Sequence, residues 1–148
     1  MKPIDASVQV YQQHPERTLS QDYIRQLVSA IIADENAHVR EISVVLADHA
    51  TVRQLNTRYL EHDCNTDVLA FPLSDSESEP VEGEVYIDLD TAAERCGEFE
   101  ASFEEEAARY VIHGTLHLLG YTDKNEDGTR IMREKEESYL AAHPPKST

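Results

Sequence analysis

The run HGTLHLLGYTD, His113 to Asp123, concentrates more reactive side chains than any other stretch of the chain. His113 and His117 are four residues apart, and on a helix that spacing projects both imidazoles from one face. A single helix can then offer two nitrogen ligands to one metal. Gly120 can take the left-handed conformation that stops a helix, and the reversal can bring the Asp123 carboxylate round as a third ligand. Two His and one carboxylate leave positions open for water and substrate, as a catalytic metal site requires. Histidines at this spacing also occur on helices that hold no metal, so the spacing alone leaves both readings open. Zinc peptidases of the usual pattern place Glu directly after the first His as general base. This chain has Gly114 there, which argues against a peptidase. The same ligand set suits nonhaem iron(II), but no strand-borne ligand pattern accompanies it.

Other reactive residues are more scattered. Glu134 and Glu136 fall on a later helical run, where either could orient a metal-bound His through its second nitrogen or stand as an exposed helix charge. Arg109 lies one turn before His113, and with Arg53 it reads as a solvated surface residue. His14, His38, His49 and His143 have no partner pattern and read as surface. Nothing near Cys64 makes it nucleophilic. With Cys96 the only other cysteine, reduced thiols in a cytoplasmic protein are the simpler account than a disulfide framework.

The elements that must position these residues follow from apolar spacing. Val8 and Val10 suggest a short first strand. Ser20 looks like an N-cap, and Ile24, Leu27, Val28, Ile31 and Ile32 mark an apolar helix face, with Leu19 able to staple onto Ile24. Glu41 to Ala47 alternates as a strand, and Val52, Leu55, Tyr59 and Leu60 fit a second helix. Asp67 to Leu73 reads as a strand ended near Pro72, which favours an edge or a terminus. After the polar loop Ser74 to Glu84, the stretch Glu84 to Asp90 alternates again. A helix from about Phe103 to Leu119 carries the two histidines at its end, and a last helix spans about Asp127 to Ala142. Strands and helices intersperse without a regular βαβ repeat. The expectation is a single α+β domain over residues 1–148: a mixed sheet of about four strands packed with helices, the metal site at the end of a central helix.

Length and charge bound the function. The chain has 148 residues, enough for one domain with a proper core. Its 29 acids against 13 bases give a formal charge of −16, which argues against a protein that coats DNA nonspecifically. The acidity is local: residues 75–106 hold 13 acids and one base, Arg95, so that this stretch carries −12 and the remainder −4. An arginine-lined groove beside an acidic flank is therefore compatible with the whole. The heavy acid load and low Lys count also fit a salt-rich interior, in which self-repulsion is screened. No run approaches the roughly 18 apolar residues of a membrane span, and the first residues have no signal-peptide core.

The motifs resemble one family. HGTLHLLGYTD is similar to the HGxLHLxGYDH signature of the YbeY-type endoribonucleases, or rRNA maturation factors, with His113, Gly114, Leu116, His117, Leu118, Gly120 and Tyr121 matching in register. Leu55 to Pro72, LNTRYLEHDCNTDVLAFP, is similar to the family's LNxxYRxxDxPTDVLSFP, and GEVYIDLDTA looks like its GDIxIS strand. The blocks keep their order over about residues 37–140. The resemblance implies a cytoplasmic, zinc-containing (or other divalent metal) endoribonuclease specific for single strands. It would act on 16S rRNA 3′ ends and in ribosome quality control, with the small ribosomal subunit as partner and without membrane, DNA or a small-molecule cofactor. The implied metal ligands are His113, His117 and the residue six after the second His. In the family that residue is His; here it is Asp123, whose extra negative charge should make the metal a weaker Lewis acid. The family arginine of YRxxD falls on Leu60. Arg58 is two residues earlier, about 200° away around a helix, so it is no simple replacement. Arg58 and His62 remain the nearby candidates for catalysis or RNA contact. Asp67 is either a cap for its strand or a residue facing the site. The vacant arginine position keeps a second class open, a ribosome-assembly binding factor with a structural metal and little or no nuclease activity.

Overall fold

Valines at alternate positions build the first strands. In the computed structural model, which describes residues 7–60, 67–74, 79–99 and 101–145 and only the backbone of 58–60 and 99, β1 (Ser7–Gln12) buries Val8 and Val10. It lies parallel to β2 (Val39–Ala47), with Val8 opposite Ile42 and Val10 opposite Val44. On the far side of β2 runs β4 (Val81–Asp88), also parallel, with Val44 opposite Val85 and Leu46 opposite Ile87. β3 (Val68–Pro72) pairs antiparallel with β4 at the outer edge, and the sheet order is β1-β2-β4-β3. Pro72 closes β3 on that edge, where its missing N–H removes no ladder bond from a central strand.

Helices cover both faces. α1 (Gln21–Asp34) is the crossover between the parallel strands β1 and β2. Ser20 caps it, its hydroxyl accepting the Tyr23 N–H at 3.2 Å, and the five aliphatic residues from Ile24 to Ile32 are buried as their spacing predicts. α4 (Phe103–Leu118) lies on the same face and opens with a reciprocal capping box between Ser102 and Glu105. Ile42, Val44, Leu46, Val85 and Ile87 form the main core with these two helices. On the opposite face α2 (His49–Leu60) sets Val52 and Leu55 against Val45, Leu69, Phe71 and Tyr86. The Phe71 and Tyr86 rings meet edge-on, 5.7 Å between centroids. Val44 to Ala47 are accordingly buried whichever face they point to, as expected of a covered central strand. α5 (Glu126–Ala142) forms an outer layer on α4 through Met132 and Tyr139. None of the helices described is long and apolar enough to cross a membrane.

The single α+β domain with a mixed four-stranded sheet is the expected class; β4 departs from the expected course at both ends, beginning at Val81 inside the stretch expected as a loop. The alternation Val85, Ile87, Leu89 suggests a strand to Asp90, but β4 ends at Asp88 and α3 (Leu89–Arg95) begins there, followed by a 3-10 turn over Cys96–Phe99. Asp88 ends the strand because its carboxylate turns back to accept the Thr91 N–H at 2.9 Å, an N-cap. Leu89 continues the apolar pattern only because the helix also points it into the core.

Two glycines let α4 press on the sheet. A Cβ on Gly114 would sit 2.3 Å from Val85 Cγ1 and 3.0 Å from Val68 Cγ2, and one on Gly83 would sit 2.6 Å from Leu118 Cδ2. α4 is thereby seated on β3 and β4, which fixes where its C-terminal turn ends.

Candidate metal centre

The end of α4 is a Schellman motif. Gly120 adopts φ +108°, its N–H donates to the His117 carbonyl at 3.1 Å, and the Tyr121 N–H donates to the Leu116 carbonyl at 3.0 Å. The chain then doubles back toward Asn125, whose side chain caps α5 by accepting the Gly128 N–H at 2.7 Å. The connecting loop is held closely: the Thr129 hydroxyl donates to the Asp123 carbonyl at 3.1 Å, and a Cβ on Gly128 would meet the Thr122 carbonyl oxygen at 2.4 Å. Tyr121 is anchored from the other side, its hydroxyl donating to Glu35 Oε1 at 2.5 Å. Glu35, at the end of α1, also accepts from Tyr139 and from Lys135, the latter at 3.0 Å. Burial disfavours the Glu35 charge, but these donors outweigh it and hold its pKa below the ordinary value.

This turn brings together three side chains. His113 Nε2 and His117 Nε2 are 3.0 Å apart, Asp123 Oδ2 is 3.6 Å from the first and Oδ1 3.7 Å from the second. Tetrahedral coordination at ~2.0–2.1 Å spaces its donor atoms roughly 3.3 Å apart, so the three could hold one metal ion. The fit is also chemical, since two neutral imidazoles and a carboxylate are suitable ligands with at least one position left open.

Glu136 supports the arrangement. It is 8% exposed, and its Oε2 lies 2.7 Å from His113 Nδ1. A proton on Nδ1 donated to this carboxylate leaves the Nε2 lone pair directed at the metal position, the carboxylate–histidine pairing common in metal sites. Arg109 Nη1 in turn lies 3.5 Å from Glu136 and 2.7 Å from Glu137. Arg109 is thus a member of the network behind the site and not the solvated surface residue its sequence context suggests. Glu134, the other candidate, points away and pairs with Arg130 at 3.3 Å. Without metal the two histidines titrate apart. Burial opposes protonation of His113, but the hydrogen bond and charge of Glu136, with Asp123 and Asp67, raise its pKa. Burial and the neighbouring His113 lower that of His117.

Gly114 faces the sheet against Val85 and Val68. A Glu at this position would collide with β3 and β4, so the peptidase arrangement is excluded by packing as well as by residue type.

The remaining candidates divide. Asp67 is tied into the edge of the sheet. Its carbonyl accepts the Asp88 N–H at 3.0 Å, extending the β3–β4 pairing, while its carboxylate holds Arg95 at 3.3 Å and its charge is felt at His113. Arg58 lies on the last turn of α2 with its side chain outside the described residues, as is that of Leu60; His62 and Cys64 lie outside them altogether.

Two histidines read as surface residues are bonded into a polar cluster at the carboxyl ends of the parallel strands. His14 is 7% exposed; its Nδ1 accepts the N–H groups of Glu16 and Arg17, and its Nε2 is 2.8 Å from Asp90. His49 Nδ1 is 2.6 Å from the fully buried Asp88. Asp90 also accepts the His49 N–H and the Arg17 guanidinium. Burial opposes its charge, but His14 and these donors bring its pKa down to about 2. The partners are 39 and 76 residues away in the chain, beyond any local sequence pattern.

Comparison with known proteins places this architecture. The chain is similar to the endoribonuclease YbeY of Salinibacter ruber, 50% identical over 139 residues that make up 89% of this chain and 88% of the relative. The endoribonuclease YbeY of Carboxydothermus hydrogenoformans is 44% identical over 119 residues, 80% of this chain and 82% of that one. Among solved structures, the solution structure of TM1509 from Thermotoga maritima is similar with a TM-score of 0.63 and 26% identity, covering 95% of this chain and 96% of that one. The family model described as Endoribonuclease YbeY matches residues 7–143, nearly the whole of the sheet, the helices and the His–His–Asp turn. The chain therefore belongs to the YbeY endoribonuclease family.

Proposed function

We propose that this protein is a zinc-dependent endoribonuclease specific for single strands, acting in the cytoplasm on the 3′ end of 16S rRNA and in ribosome quality control, as one domain over residues 1–148. The observation that carries the reading is the convergence of His113, His117 and Asp123 at donor spacings suited to one ion. Family membership supplies the RNA substrate class. When bound, a zinc ion at this site supplies Lewis acidity toward a phosphodiester and lowers the pKa of water at the open position.

The protein's own groups prepare that chemistry. His113 and His117 present neutral nitrogens once one proton has been displaced, and Glu136 keeps the His113 ring in its binding tautomer. Asp123 adds a negative charge where the family has a neutral His, so the site should attract a divalent cation more strongly and activate water less. Arg109 lies among Glu106, Glu136 and Glu137 and offsets part of their negative charge behind the site. Arg58, His62 and Asp67 are proposed as RNA contacts.

A second reading rests on one specific feature, Leu60 at the position of the family arginine. It makes the protein a small-subunit assembly factor whose metal is structural. Cleavage of single-stranded RNA by protein of defined metal load, with His113→Ala and Asp123→Ala alongside, separates the two. Metal-dependent cleavage lost in both variants is expected. Equal cleavage by wild type and His113→Ala would remove the enzyme reading, and unchanged metal content in Asp123→Ala would remove Asp123 from the site.

A further inference from the structure

Asp123, one of the three candidate ligands, lines the end of a groove of about 800 Å³ that runs along α5 as far as Glu137. The groove's described lining is near charge balance, with Lys124, Arg130 and Arg133 against Asp123, Glu126, Glu134 and Glu137, whereas the whole chain carries −16. Among the described Lys and Arg side chains, Arg17, Arg25, Arg95, Arg109, Arg130 and Lys135 each have a carboxylate in ion-pair range. Arg40, Arg53, Lys124 and Arg133 have none among the described residues, and two of these four, Lys124 and Arg133, line this one groove. The groove's acids are partly offset: Glu134 pairs with Arg130, which also reaches Asp127, Glu137 shares Arg109 with Glu106 and Glu136, and Asp123 belongs to the metal site. Glu126 is the remaining unpaired acid among the described lining residues. Another groove beside the turn, about 500 Å³, is lined by Glu35 and Glu79 and, among the described residues, by no Lys or Arg, and is unsuited to phosphate.

We infer that this groove is the track for the strand flanking the scissile phosphate, with Lys124 and Arg133 as contacts to its phosphates. The inference rests on the RNA-cleaving reading above and assigns it residues that no sequence motif marks. Geometry supports it in two ways. The groove begins at Asp123, so a strand lying in it reaches one of the candidate ligands. Arg133 stands eight residues beyond the N-cap Asn125, about 12 Å along the helix axis, so Lys124 and Arg133 reach successive parts of an extended backbone. Thr129 and Asn125 between them offer polar groups, and among the described residues no aromatic side chain lines the groove to stack bases. The contact is accordingly with the backbone and independent of base sequence.

The test uses full-length protein and a fluorescein-labelled single-stranded RNA oligonucleotide. Binding is followed by anisotropy with metal chelated, and cleavage with zinc restored. Lys124→Gln and Arg133→Gln should each raise Kd roughly two- to five-fold at low salt, and each should reduce the slope of log Kd against log salt by about 0.7. In cleavage the loss should fall on KM more than on kcat, and Arg133→Glu should exceed Arg133→Gln. Arg25→Gln, on α1, controls for net charge and should change neither. Variants with wild-type affinity and wild-type salt slope would overturn the groove assignment. A duplex of the same sequence bound as tightly, through the same two residues, would overturn the single-strand assignment. A wild type that binds RNA through Lys124 and Arg133 but never cleaves it would support the groove and refute the proposed activity, which keeps the two failures apart.

Discussion

Glu136 is the residue whose perturbation tests the site most directly, because it touches the candidate ligand set through a single atom pair. Its Oε2 accepts from His113 Nδ1 across 2.7 Å, and the residue is 8% exposed. A hydrogen bond to a charged group in such a setting contributes ~1.5–3 kcal/mol, against ~0.5–1.5 kcal/mol for a neutral one. Glu136→Gln keeps an acceptor oxygen of the same reach and loses the charge, so about 1–1.5 kcal/mol of His113 support disappears. That corresponds to roughly a five- to ten-fold rise in the zinc Kd. Glu136→Ala removes the acceptor as well and should approach a loss of about 100-fold. Fold stability should change little in the Gln variant, because Arg109 retains Glu137 at 2.7 Å.

The pH dependence is the stronger part of this prediction. In the metal-free protein Glu136 raises the His113 pKa, so zinc must displace a proton from His113 below that raised value. Without the Glu136 charge the pKa falls and this competition begins only at lower pH. The variant's disadvantage should therefore be greatest at alkaline pH and shrink as pH drops. Competition titrations against a chromophoric chelator between pH 6 and 8 would show it. An unchanged Kd, or a loss identical at every pH, would refute the claim that Glu136 acts through the His113 proton.

Other expectations follow from packing and charge. Gly114→Ala places a methyl 2.3 Å from a side chain in the closed core; overpacking of ~1–3 kcal/mol, at the upper end here, less a helix gain of ~1 kcal/mol, leaves the variant destabilised by about 1–2 kcal/mol in urea unfolding, and a stabilised variant would contradict the seating of α4. Asp90, with its pKa lowered from 3.8 to about 2, contributes stability that is present above pH ~4 and lost as pH falls through ~2; Asp90→Asn should flatten that part of a Tm-against-pH curve, and an unaltered curve would show that the His14–Asp90–Arg17 cluster contributes nothing. With a formal charge of −16, Tm should rise as salt screens the self-repulsion, and a Tm insensitive to salt would remove that account of the acidity.

Local periodicity made much of this protein legible. Ile24 to Ile32, Phe103 to Leu118 and the run to Ala142 announce three helices, because the residues that share a helix face lie three or four apart and can be counted. The same arithmetic sets His113 above His117, and Gly120 marks the stop that turns Asp123 toward them. The boundary at Asp88 was not legible, since Leu89 continues the strand alternation while already serving a helix. Nor was the bonding of His14 and His49, whose partners Asp90 and Asp88 arrive on another strand end, or the part played by Arg109, which depends on α5 lying across α4. The residue types and their short-range spacing thus specified the helices other than α3, the ligand pair and the family. Which carboxylate stands behind His113, which cations go unpaired beside Asp123, and how closely α4 sits on the sheet depended on the assembled fold. The physical reason is range: a helix turn couples residues within four positions, whereas hydrogen bonds and ion pairs between elements depend on side chains that only packing brings into contact.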